Sequence, residues 1–183
     1  MQLDLLVKRR GLDPSAETCL HALCHLMRVP VAGVERGELW RFEVAAGESA
    51  AECRERLERA AARAGRYVNQ NRDTCTWLDG PQPYPEAAPA GGSVADVWVL
   101  DGDGRDAAAL EYYRSQAVPA LADMRRGVLW RLWLPEPDAR AARALAQAIT
   151  VTRSRRAGLL MNPQAQTAEV LHVLVASPAK EGT

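Results

Sequence analysis

The sequence predicts an α+β protein: a tandem duplication of a two-layer βαββαβ unit, each an antiparallel sheet with two helices on one face, the halves packed as a pseudo-dimer. Three observations carry this. Arg36-Gly37-Glu38-Leu39-Trp40-Arg41 returns ninety positions later as Arg126-Gly127-Val128-Leu129-Trp130-Arg131. Period-two and helical hydrophobic patterns alternate in the same order around both copies. Between them lies a stretch with four prolines, 80–92, whose composition favours extended conformations over sheet. The predicted boundaries are therefore a first repeat at 1–79, a linker at 80–92, a second repeat at 93–177 and a tail at 178–183.

In the first repeat Leu3, Leu5 and Val7 alternate with polar residues, and Leu6 adds apolar character to the other face. Asp13 and Pro14 then suit the cap and first position of a helix. Ala16, Cys19, Leu20, Leu23, Cys24 and Met27 form its inner stripe, and Pro30 ends it. A short strand is expected at 31–34, a turn at Arg36-Gly37 and a strand at 38–44 that places Trp40, Phe42 and Val44 on one face. A second helix, about 49–64, buries Ala50, Cys53, Leu57, Ala60 or Ala61, and Ala64. Gly65 closes it, and a more polar strand or loop from Tyr67 to Leu78 completes the unit.

The second repeat follows the same order. Ala95, Val97 and Val99 oppose Val94, Asp96, Trp98 and Leu100 in a strand over 94–100. A helix over about 106–117 turns Leu110, Tyr113 and Ala117 inward. Strands at 120–124 and 128–134 flank the second arginine-glycine turn. Asp138 caps a helix lined by Ala141, Leu145, Ala148 and Ile149, and a last strand spans 167–176. The face of this repeat away from its helices carries Trp98, Leu100, Leu129 and Trp133, too much apolar surface to leave wet. The matching sheet of the first repeat is the expected cover, with another copy of the chain or a large partner as alternatives.

The 183 residues contain 23 lysines and arginines against 23 acidic residues, so no global positive field collects nucleic acid or anionic membrane. The first residues lack the pattern of a secretory signal, and no apolar run is long enough to cross a bilayer; a cytoplasmic protein is expected. All four cysteines, Cys19, Cys24, Cys53 and Cys75, fall in the first half, which argues for reduced thiols rather than a disulfide framework.

Among chemical motifs, Asp101-Gly102-Asp103-Gly104 lacks the later ligands of a calcium loop and reads as a turn leading to a helix cap. His21 and His25, four apart with Cys24 beside them, could meet a metal, but a third ligand and a general base are not evident. His172 lies in a strand without a nucleophile near it in sequence. No catalytic residue, cofactor ligand or metal ligand can be assigned, which favours a subunit that binds over one that reacts. Arg36, Arg41, Arg126 and Arg131 are the most suggestive charged set, either for acidic groups on a partner or for internal pairing. Arg153, Arg155 and Arg156 cluster at a helix C-terminus, where the dipole favours cations.

Val7-Lys8-Arg9-Arg10-Gly11-Leu12-Asp13-Pro14, the helix after it, 31–37 and the alternating strand resemble the PurS family, the small subunit of phosphoribosylformylglycinamidine synthase. Leu159-Leu160-Met161-Asn162-Pro163 is similar to the Leu-Leu-Ala-Asn-Pro that joins the last helix to the last strand in that family, with Val68-Asn69-Gln70 as its partner in the first repeat. Where the family has lysine after the arginine-glycine pair, this chain has Glu38 and Val128. The resemblance implies two PurS-like units in tandem, and a non-catalytic subunit of a ligase complex in de novo purine biosynthesis. Such a subunit bridges a glutaminase (PurQ-like) and an ATP-dependent synthetase (PurL-like) for ammonia transfer, and no cofactor is implied. The partner interface expected on this basis comprises Arg36, Gly37, Arg41, Trp98, Arg126, Gly127, Arg131, Trp133, Asn162 and Pro163, with a homodimer possible. The alternative reading is a regulatory α+β module that binds a small ligand at the interface between the repeats.

Overall fold

The computed structural model describes residues 1–65, 68–154 and 158–176. The expectations that involve Tyr67, Arg155, Arg156 and the tail at 178–183 lie outside those residues. Six strands form one antiparallel sheet in the order β3-β1-β2-β5-β4-β6, counting β1 Gln2–Arg9, β2 Gly33–Val44, β3 Asp73–Leu78, β4 Ser93–Asp101, β5 Leu121–Leu134 and β6 Gln166–Val175. The helices are α1 Pro14–His21, α2 Ala50–Ala64, α3 Ala107–Gln116 and α4 Ala139–Thr150, with a π-helical turn, Ala22–Leu26, continuing α1. The element order β-α-β-α-β occurs twice, and the sheet order reads the same from either edge toward the β2–β5 seam.

The expected pair of short strands around each arginine-glycine turn is corrected. β2 runs unbroken through Arg36-Gly37 and β5 through Arg126-Gly127, so each half has three strands among the described residues rather than four. Glycine marks close approach here rather than reversal: a Cβ on Gly127 would stand 2.4 Å from the Val99 carbonyl oxygen, and one on Gly37 3.0 Å from that of Val7. The two long strands pair antiparallel from Gly33 with Trp133 to Val44 with Leu121, which puts Trp40 beside Arg126 and Arg36 beside Trp130.

Even-numbered positions of β2 and β5 face the helices, and a bulge at the start of β5 adds Leu121 to them. Leu3, Leu5, Trp40, Phe42 and Met124 close on α2 and on Tyr113 of α3. Val97, Leu132 and Leu134 close on α4 and on Cys19 and Leu23 from α1 and its π turn. The first helix of each half thus packs over strands of the other half, so neither core is completed by its own half alone. The inner face of α2 is the expected one; in α4 Ile149 is buried and Leu145 partly buried as expected, but Ala142, Ala146 and Thr150 are buried in place of Ala141 and Ala148. Asp138 caps α4 by accepting from the Arg140 and Ala141 amides, and alanines on either side give no size difference to set the phase locally.

The opposite face carries Leu6, Leu39, Trp98, Leu100 and Leu129, all buried. The expected face-to-face cover by the first repeat's sheet is not what buries them, because the two sets of strands lie side by side in one sheet. The guanidinium groups of Arg41 and Arg125 lie 4.8 and 5.7 Å from the Trp98 ring centre. The segment after β3 comes down on the sheet as a strap: Arg131 donates to the backbone oxygens of Gln82 at 3.0 Å and Pro83 at 2.6 Å. Trp133 is half-buried, with its indole packed where Gly33 has no side chain.

Candidate functional site

Arginine, tryptophan and aspartate form the same arrangement twice on the helix side of the β2–β5 seam. The Arg36 guanidinium lies 5.7 Å from the Trp130 ring centre and 3.5 Å from the Asp13 carboxylate. Arg126 lies 5.6 Å from the Trp40 ring centre and 3.6 Å from Asp106. Asp13 and Asp106 are the N-caps of α1 and α3, accepting from the Ser15 and Ala109 amides. Each arginine therefore ties the start of its own half's first helix to an aromatic ring of the other half, combining cation–π and charge-assisted contact.

The asparagine turns are matched as well. Asn162 donates its amide to the Gln166 side chain at 2.8 Å, and its side-chain oxygen accepts from the Gln164 amide at 3.1 Å. Asn69 donates its amide to the Asp73 carboxylate at 3.0 Å, and its side-chain oxygen accepts from the Asn71 amide at 3.1 Å. Pro163 needs no amide partner in that turn, where Gln70 stands in the first half. Arg72 and the Asn69 amide hold the Asp73 carboxyl below the ordinary carboxylate range, against the upward push of burial.

These turns meet the arginine clusters. A cavity of about 400 Å³ is lined by Arg126, Gly127, Asp106 and Gln166, and a smaller one of about 190 Å³ by Arg36, Gly37, Asp13 and Asp73. Glu38 borders both. The structure thus brings Arg36 and Gly37 together with the Asn69 turn, and Arg126 and Gly127 with the Asn162 turn. Arg41, Trp98, Arg131 and Trp133 lie on the other side of the sheet, where Trp98 stands beside Gly127, and form no single site with Arg36 and Arg126.

On that other side Arg41 is held by two hydrogen bonds of 2.9 Å to Asp4, its cross-strand neighbour. The Arg131 Nε lies 3.4 Å from the Asp96 carboxylate, near enough to neutralise it but not aligned for a hydrogen bond, and the two side chains are 4% and 3% exposed. Burial pushes the Asp96 carboxyl above its ordinary range, with Arg131 and His172 pulling the other way. His172 pairs with Asp96 across β4 and β6. Sequence reading passed over Asp4, Asp96 and Gln82; a lone aspartate inside the apolar run 94–100 was the one signal available for Asp96.

His21 and His25 lie with ring centres 4.6 Å apart and planes tilted by 44°, while the Cys24 thiol donates to the Val31 carbonyl at 3.2 Å. Among the described residues no three His, Cys, Asp or Glu side chains are grouped to hold a metal. In the Asp101–Gly104 turn, Asp103 accepts from the Arg105 amide and pairs with its side chain. No helix among the described residues is long and apolar enough to cross a membrane.

No protein-family model and no curated protein matches the chain.

Proposed function

We propose that the chain is a tandem pair of PurS-like units, 1–79 and 93–177, fused into a ready-made pseudo-dimer. In this reading it is a non-catalytic, cytoplasmic adaptor that seats a PurQ-like glutaminase beside a PurL-like synthetase, so that ammonia freed at one site reaches the other. The observation that carries the reading is the paired environment of Arg36 and Arg126. Each contacts the other half's tryptophan and its own half's capping aspartate. The matched turns at Asn69 and Asn162 add to it.

An adaptor of this kind needs rigidity and two docking faces rather than an acid, base or nucleophile. The β2–β5 seam and the exchange of α1 and α3 supply rigidity, and fusion removes the association cost that two separate units would bear. Glu38 and Val128, where the family carries lysine, change the charge that this region offers a partner. Reconstitution with the glutaminase and synthetase encoded in the same genome tests the proposal. A stable ternary complex, with glutamine-dependent synthesis lost when the chain is withheld, is the expected result. A glutaminase–synthetase pair that assembles and works fully without the chain overturns it.

A further inference from the structure

Beneath the strap lies a cavity of about 310 Å³, at the lower end of the range in which proteins hold small ligands. Leu39, Leu129 and Leu171 line its apolar part, drawn from β2, β5 and β6. The polar part contains Gln82 of the strap and Asp96 of β4, which are 8% and 3% exposed. The Gln82 Nε2 and the Asp96 Oδ1 have no hydrogen-bond partner among the described residues. One guanidinium joins the two residues, since Arg131 donates to the Gln82 backbone carbonyl at 3.0 Å and lies 3.4 Å from the Asp96 carboxylate. The Gln82 amide donor is left unmatched and the Asp96 carboxylate is met only by the misaligned Arg131 guanidinium, and both cost free energy that a bound molecule can recover.

Charge selects the class of molecule. Arg41 is paired with Asp4, Arg54 with Asp79 and Arg131 with Asp96, so the charges around the cavity already cancel. A ligand with a net charge would enter this half-buried space without a counter-ion. We infer that the cavity under the strap binds a small neutral amide or ureide, whose N–H donates to Asp96 and whose carbonyl accepts from Gln82. The leucines hold its apolar part. Because residues of both halves and of the strap line the site, occupancy stiffens the join between them. The inference does not rest on the adaptor reading.

The test is a titration of the isotope-labelled full chain, followed by NMR, with uracil and 2-pyrrolidinone as neutral probes and methylammonium and acetate as charged ones. Saturable shifts centred on Gly80 to Gln82, Asp96 and His172 are expected with the neutral probes alone. Gln82→Leu, with the rest of the spectrum unchanged, should weaken binding roughly three- to tenfold, the loss of one neutral hydrogen bond. Leu171→Phe, which takes up cavity space without touching the polar groups, should weaken it as well. No shift up to the solubility of the neutral probes, a response to the charged probes only, or binding indifferent to both substitutions overturns the inference. None of those outcomes bears on the ternary complex, which is measured separately.

Discussion

The Arg126 guanidinium lies 5.6 Å from the centre of the Trp40 ring, its direct neighbour across the β2–β5 seam, and Arg36 stands in the same relation to Trp130 at 5.7 Å. Two equal contacts across one seam mean that the halves are fixed by the same chemistry at both places. Arg126→Ala and Arg36→Ala should each lower the unfolding free energy by about 1 kcal/mol, from a part-exposed cation–π contact plus a weak ion pair. The two positions are about 13 Å apart along the strands, so their effects should add in the double variant. Urea denaturation of the three variants checks both statements.

The glycines of the two arginine-glycine pairs should differ in tolerance. A methyl group on Gly127 meets the Val99 carbonyl oxygen at 2.4 Å and the Trp98 Nε1 at 2.8 Å, whereas on Gly37 its nearest neighbours are at 3.0 Å. Gly127→Ala is expected to cost about 1–3 kcal/mol by overpacking, and Gly37→Ala less. Denaturant midpoints measured side by side give the order.

Asp73 carries a pH signature. Its carboxyl is depressed chiefly by the Arg72 side chain, so its contribution is present above the unfolded-state value and is lost as pH falls through the lower folded-state value. Asp73→Asn should therefore destabilise the protein at neutral pH, by about 1–2 kcal/mol for the weakened turn. The gap from the unsubstituted chain should close on acidification below pH 4 or so. Thermal melts across that range read the difference.

Thiol reactivity should follow burial. Burial pushes the Cys19 thiol up to about 11, Cys53 is also buried and raised, and Cys75 is exposed although its thiol too lies above the ordinary value. With a thiol-specific chromogenic reagent at neutral pH, Cys75 should label first and more slowly than a free thiol. Cys19 and Cys53 should label only on unfolding. Mass mapping of the labelled sites identifies the order.

Local pattern sufficed for α2, whose Cys53, Leu57, Ala60 and Ala61 fall at helical spacing and whose end is marked by Gly65 in a left-handed conformation, φ 60°. It sufficed too for both faces of β4. It misread Arg36-Gly37, because a glycine required by a neighbouring strand looks in sequence like a glycine required by a turn. Ile149 and Leu145 were placed correctly in α4, but the alanines on both sides of them left the edges of its buried face open. The arginine clusters were visible as a repeated motif, but their partners Asp13, Asp106, Trp130 and Trp40 were not. Those pairings depend on cross-strand register, and so does the meeting of Gln82, Asp96 and Arg131 under the strap.

The join between the halves is tested most directly by interstrand nuclear Overhauser contacts in the full chain. Backbone-proton contacts between Arg36 and Trp130 and between Trp40 and Arg126 are predicted, in the antiparallel register that runs from Gly33 with Trp133 to Val44 with Leu121. Their absence, with β2 and β5 instead lying in separate stacked sheets, would contradict the seam on which both the adaptor proposal and the covered cavity depend.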